Sequence, residues 1–131
     1  MSERKYLPTI ADLIDRLSIC LMKSIFINRN VYRAEMELLM EDIKNLEPIN
    51  PKLLYAILVL MLANRFIWEN EASARSRGKG GKLRATHAVN GVRTRAKNEI
   101  SKIFGERIDQ KIDCLAADLP PEMGNWRCFD D

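Results

Sequence analysis

The chain has one histidine, His87, and three widely spaced cysteines, Cys20, Cys114 and Cys128, with no C-x-x-C pair. That inventory indicates neither a zinc site nor a disulfide framework, and a reducing cytoplasm suits it. No run reaches the roughly 20 apolar residues that a membrane span needs. The most apolar stretch, Leu53 to Ala63, falls well short. The opening MSERKYLPTIADL lacks the apolar core of a signal peptide. A soluble, cytoplasmic protein with no membrane partner is expected. The period-two alternation of strands is missing, as is any internal repeat, which leaves an all-α domain.

What the sequence does contain is helical periodicity. Ile10, Leu13, Ile14, Leu17, Leu21 and Ile25 recur at spacings of three and four, and Thr9 with Asp12 forms a helix-start signature. Asn28, Arg29 and Asn30 interrupt the pattern. Tyr32, Met36, Leu39, Ile43 and Leu46 resume it, with Glu35, Glu37, Glu41 and Asp42 on the other side. Pro48 stops this second helix, and Asn50 ahead of Pro51 marks a third start. The third helix is apolar all round, which implies either the centre of the bundle or one face in the core and another in a subunit contact. Ala85, Ala88, Val89, Val92, Ala96, Ile100 and Ile103 define the inner face of a fourth, which Gly105 ends. Ile108, Ile112, Leu115 and Leu119 form a short fifth before Pro120 and Pro121. The expectation is one compact domain over 1–131. Its helices lie at about 9–27, 31–46, 51–72, 84–104 and 106–118, with a mobile basic glycine-rich loop at about 73–83 and an irregular tail at 120–131. Trp126 and Phe129 in that tail are expected to dock on the bundle.

Charge is segregated. The stretch from Arg75 to Asn98, RSRGKGGKLRATHAVNGVRTRAKN, holds eight of the 21 Lys and Arg and none of the 18 Asp and Glu. Such a block repels itself unless acids of the same protein or an external anion balance it. Its first half surrounds three glycines, Gly78, Gly80 and Gly81, and runs into a helix start, where free N–H groups also favour an anion. The expected phosphate cradle comprises Arg75, Arg77, Lys79, Lys82, Arg84, His87, Asn90, Arg93, Arg95 and Lys97. The lysines act as point charges, Arg84, Arg93 and Arg95 as forked donors, and His87 or Asn90 as a base or sugar contact. On a helical wheel Arg84, His87, Gly91, Arg95 and Asn98 form one outward stripe, flanked by Asn90, Arg93, Lys97 and Ser101. The alternative balance is intramolecular or between subunits, supplied by the acidic second helix. Separately, the flank of the first helix that carries Asp15 is explained either by Asp15 pairing with a base such as Arg93 or Arg95, or by Ile19, Met22 and Phe26 forming a subunit contact.

GKGGK is not a Walker A loop, because G-x-x-x-x-G-K-[ST] is absent and no strand precedes it. No nucleophile and base are brought together by spacing, so no catalytic residue, metal or cofactor is expected. Asp12, Asp15, Glu35, Glu37 and Asp42 read as solvated faces. No aromatic residue lies between Trp68 and Phe104, which favours backbone contact over base stacking.

The run TIADLIDRLSI, Thr9 to Ile19, resembles the opening T-I-x-E-L-I-D-K-L-S-I of a group of small helical proteins of unassigned function, found in bacteriophages and beside bacterial glycosyltransferase genes. Leu13, Ile14, Asp15, Leu17, Ser18 and Ile19 match, while Asp12 replaces Glu and Arg16 replaces Lys. The resemblance spans little more than the first helix. It implies a phage accessory protein acting in the host cytoplasm, with no catalytic residues to carry over. The function expected is non-enzymatic binding of a phosphate-bearing ligand, nucleic acid first. One alternative is a small nucleotide, such as a sequestered signalling nucleotide. Another is an acidic protein partner docked by an oligomeric adaptor, possibly a homo-oligomer.

Overall fold

The computed structural model describes the backbone of residues 6–77 and 83–108, and the side chains of 6–71 and 88–108. It is all-helical, with four helices and no strand among the described residues. These are α1 (Ile10–Phe26), α2 (Arg29–Ile43), α3 (Pro51–Arg77) and α4 (Leu83–Ile103).

Local chemistry sets the helix ends. Thr9 and Asp12 close a capping box: the Asp12 N–H donates to Thr9 Oγ1 at 3.1 Å and the Thr9 N–H to Asp12 Oδ2 at 3.0 Å. Asn28 caps α2 by accepting from the Asn30 N–H at 2.9 Å. Asn50 accepts from the Leu53 N–H at 2.8 Å, with Pro51 at the first helical position. At the end of α4, Gly105 has φ 66°. The Glu106 N–H reaches back to the Ser101 carbonyl at 2.9 Å and the Gly105 N–H to that of Lys102 at 3.2 Å. This paired arrangement satisfies carbonyls that the helix end would orphan.

Three expected boundaries shift. The second helix, expected over 31–46, spans Arg29–Ile43. Residues 73–77, expected in the loop, continue α3. The run Glu71, Ala72, Ser73, Ala74, Arg75 contains good helix formers and no glycine or proline, so the helix extends toward Gly78. Glu106, Arg107 and Ile108 are not helical, so the fifth helix does not begin at 106. The rest of that segment, the docking of Trp126 and Phe129, and residues 78–82 lie outside the described residues.

Ala11 and Ile14 of α1 form one core with Leu53, Ala56, Val59 and Leu60 of α3 and with Val92, Ala96 and Ile100 of α4. Ala63, Ala88 and Val89 form a second, nearer the α3–α4 connection, with Phe66 and Ile67 packed on it. The hairpin of α3 and α4 is therefore antiparallel, and its alanines let the two backbones approach closely. α1 packs on α3 and α4; α2 packs on α1 alone.

The placement of the two long helices departs from their hydropathy. No described side chain of α4 from Ala88 to Ser101 is exposed. Gly91, Asn98 and Ser101, expected on or beside an outward stripe, are buried. The more apolar α3 instead leaves Leu54, Tyr55, Leu58 and Leu62 in solvent. On the side that faces α1, Asp15 and Asp12 meet Arg93 and Lys97, which lets these two bases be drawn in from solvent. By length and composition, Pro51–Glu71 is also apolar enough to cross a membrane, at a mean hydropathy of 1.4. A core helix of a soluble protein meets the same test.

Candidate functional site

Asp15 of α1 is 6% exposed and sits between α3 and α4. Its carboxylate accepts from Arg93 Nε at 3.1 Å, from a second guanidinium nitrogen of Arg93, and from Asn64 Nδ2 at 2.9 Å. Asn64 also donates to Ser18 Oγ at 2.7 Å, and the Ser18 hydroxyl donates to the Asp15 carbonyl at 2.8 Å. The forked pairing supplies geometric specificity that a lysine would not. One turn along α4, Lys97 Nζ lies 2.9 Å from Asp12 Oδ1. Burial pushes the Asp12 carboxyl up, but Lys97 and the Thr9 cap more than reverse this, leaving it below the ordinary carboxylate value.

Two of the ten expected cradle residues, Arg93 and Lys97, thus face acids of α1. Asn90 and Arg95 are half-buried. Arg75 and Arg77 lie in the last turn of α3, and Arg84 and His87 in the first two turns of α4; for these four the backbone alone is described. Lys79 and Lys82 lie outside the described residues. The antiparallel hairpin brings the α3 and α4 ends carrying Arg75, Arg77, Arg84 and His87 to one end of the bundle.

Beside that end opens a cleft of about 500 Å³. α1 contributes Met22 and Lys23, α2 Tyr32, α3 Asn64, Ile67, Trp68 and Glu71, and α4 Asn90 and Arg93. Trp68 stacks on Phe26 with ring centroids 6.1 Å apart, which fixes its plane. Lys23 Nζ lies 5.6 Å from the Tyr32 ring centroid. Aromatic faces, two side-chain amides and two cations therefore converge, and Asn90 lies one helical turn beyond His87. Trp68, Tyr32, Asn64 and Lys23 were missed because they belong to other helices, and no local signal ties them to the basic stretch.

A second cleft of about 500 Å³, lined by Thr9, Asp12, Arg93, Lys97 and Arg107, lies toward the opposite end. Arg107 stacks over the Tyr6 ring, 3.7 Å from its centroid, and donates to the Leu7 carbonyl. Glu106 Oε1 accepts from the Ile10 N–H at 2.7 Å. This clasp fastens the segment after α4 to the start of α1, and its cations already have partners.

Among the described residues no group of three or more His, Cys, Asp or Glu side chains could hold a metal ion. Cys20 is buried; burial and then the neighbouring Glu35 carboxylate push its thiol up, the reverse of nucleophile activation. Glu35 itself is held below the ordinary range by Arg16, whose Nε is 2.8 Å away. No family model, no curated protein and no solved structure matches this chain.

Proposed function

We propose that this protein is a non-enzymatic binding module for a phosphate-bearing ligand of the nucleotide class. The base lies in the cleft against Trp68 and Tyr32, and the phosphates extend toward the basic end of the α3–α4 hairpin. The observation that carries this reading is the cleft itself, a concave site with aromatic faces and amide groups directly beside an acid-free basic stretch. Aromatic faces accept any base, and Asn64 and Asn90 supply donors and acceptors for its edge. Lys23 and Arg93 line the same cleft, with Arg93 fixed by Asp15. Arg75, Arg77, Lys79, Lys82, Arg84 and His87 are the phosphate set. A phage-encoded module of this kind would sequester a signalling nucleotide in the host cytoplasm.

The basic stretch from Arg75 to Lys97, two of whose eight bases meet acids of α1, supports a second reading, a nucleic-acid polymer gripped through its backbone. Thermal shift separates the two, because a ligand that binds only the folded state raises its melting temperature. Mononucleotides, cyclic dinucleotides, RNA, single-stranded DNA and duplex DNA are compared at low and moderate salt. Stabilisation by a small nucleotide that persists as salt rises is the expected result. Stabilisation confined to polymers, with a log–log salt slope of about −0.7 to −0.9 per phosphate contact, would install the second reading instead.

A further inference from the structure

One corner of the Trp68 cleft is built so that its polar groups cannot exchange roles. Asn64 is 5% exposed and lines the cleft. Its Nδ2 donates one hydrogen to Asp15 Oδ1 at 2.9 Å and the other to Ser18 Oγ at 2.7 Å. An ionised carboxylate can only accept. The Ser18 hydroxyl gives its single hydrogen to the Asp15 carbonyl, so its oxygen accepts as well. Two acceptors therefore fix which way the amide points, since turning it over would set Oδ1 against the Asp15 carboxylate. Among the described residues nothing donates to Asn64 Oδ1, and no fully buried polar side-chain atom lacks a partner, so this oxygen opens on the cleft.

The same carboxylate fixes Arg93. Its Nε shares Asp15 Oδ1 with the Asn64 amide, and a terminal nitrogen takes Oδ2. A guanidinium carries five N–H donors, so three remain for a ligand. Arg93 lines the cleft and keeps 27% of its side chain in solvent. The corner thus offers one immovable acceptor, Asn64 Oδ1, beside a set of charged donors held on the same carboxylate.

We infer that this corner makes the cleft selective for guanine, an inference that rests on the nucleotide reading of the cleft. Along one edge guanine presents the N1–H donor, the O6 acceptor and the N7 acceptor in that order. Asn64 Oδ1 accepts from N1–H, and Arg93 donates to O6 and N7, the commonest specific pairing of an arginine with a base. Adenine offers an acceptor, a donor and an acceptor at those places. An asparagine holds adenine by giving an amide N–H to N7 and accepting from N6, and both N–H groups of Asn64 are spent. Uracil matches with N3–H and one carbonyl, one bond fewer than guanine. No described residue ties the Asn90 amide, which can turn to suit any base and so does not choose between them.

The test is isothermal titration calorimetry of the wild-type full chain, at moderate salt, with five nucleoside 5′-monophosphates. They are GMP, IMP, AMP, UMP and 1-methyl-GMP, whose common ribose phosphate keeps the contribution of the basic end equal. IMP lacks the N2 amino group but keeps N1–H, O6 and N7, so it should bind like GMP. AMP and UMP should bind about tenfold more weakly or worse, and 1-methyl-GMP, which has lost only the N1–H, about ten- to hundredfold more weakly. In Asn64→Ala the ratio between GMP and 1-methyl-GMP should collapse to about twofold or less. A ratio within one protein is independent of how much that variant is destabilised, and if it does not fold the ligand series on the wild type still decides. Equal binding of GMP and 1-methyl-GMP, a preference for AMP, or a ratio unchanged in Asn64→Ala overturns the guanine inference while leaving the nucleotide cleft standing. If none of the five binds, the nucleotide reading falls and this inference with it.

Discussion

Replacing Asp15 with alanine removes the one carboxylate that meets both nitrogens of the Arg93 fork and the Asn64 amide. Breaking a buried ion pair from one side costs about 3–5 kcal/mol, because the partner charge is left without compensation. Arg93 keeps 27% of its side chain in solvent, so water recovers part of that and the lower end applies. About 3 kcal/mol corresponds to a fall in melting temperature of roughly 10 °C for a domain of this size. Urea denaturation followed by circular dichroism supplies the free energy. A double-mutant cycle with Arg93→Met then separates the pair from its surroundings. Asp15→Leu with Arg93→Met should be less destabilised than Asp15→Ala, since no charge is stranded in the double variant. A loss below about 1 kcal/mol for Asp15→Ala, or strictly additive single effects, would show that the pair does not hold α1 against α4.

Local chemistry yields further expectations. Thr9→Ala should cost about 1 kcal/mol through loss of the capping box, read from the urea midpoint. Gly105→Ala should cost about 1 kcal/mol, because no atom lies within 4 Å of an added Cβ and the strain comes from the backbone at φ 66° alone. Asp12 has a folded-state pKa below its ordinary value, so its stabilisation is present above pH 4 or so and is lost as pH falls through the folded value. Lys97→Met should flatten that acid dependence below about pH 4; an unchanged profile would remove Lys97 as its cause.

Signals carried by a few consecutive residues were legible in the sequence. Thr9 with Asp12, Asn50 before Pro51 and Gly105 each mark a helix end whose hydrogen bonds close within four residues. The pairing of Asp15 with a base of the fourth helix was one of two open accounts of its flank, and reading Asp15 as part of a solvated face was wrong: it is buried against Arg93. The exchange of places between α3 and α4 was not legible. Hydropathy ranks helices by how apolar they are, whereas here Asp12 and Asp15 make it possible to bury a helix bearing Arg93 and Lys97. The same limit hid the cleft. Tyr32 and Trp68 lie 58 and 22 residues from Asn90, and antiparallel packing alone brings them together.

Trp68 reports on whether a nucleotide enters the cleft. The chain has two tryptophans, so Trp126→Phe leaves Trp68 as the sole reporter, sitting in the wall of the cleft. Titrating that variant with mononucleotides and cyclic dinucleotides should quench its fluorescence saturably, with an affinity that survives moderate salt and is lost in Asn90→Ala. Fluorescence that no nucleotide alters, in a protein that still binds nucleic acid at low salt, would contradict the cleft as the ligand site.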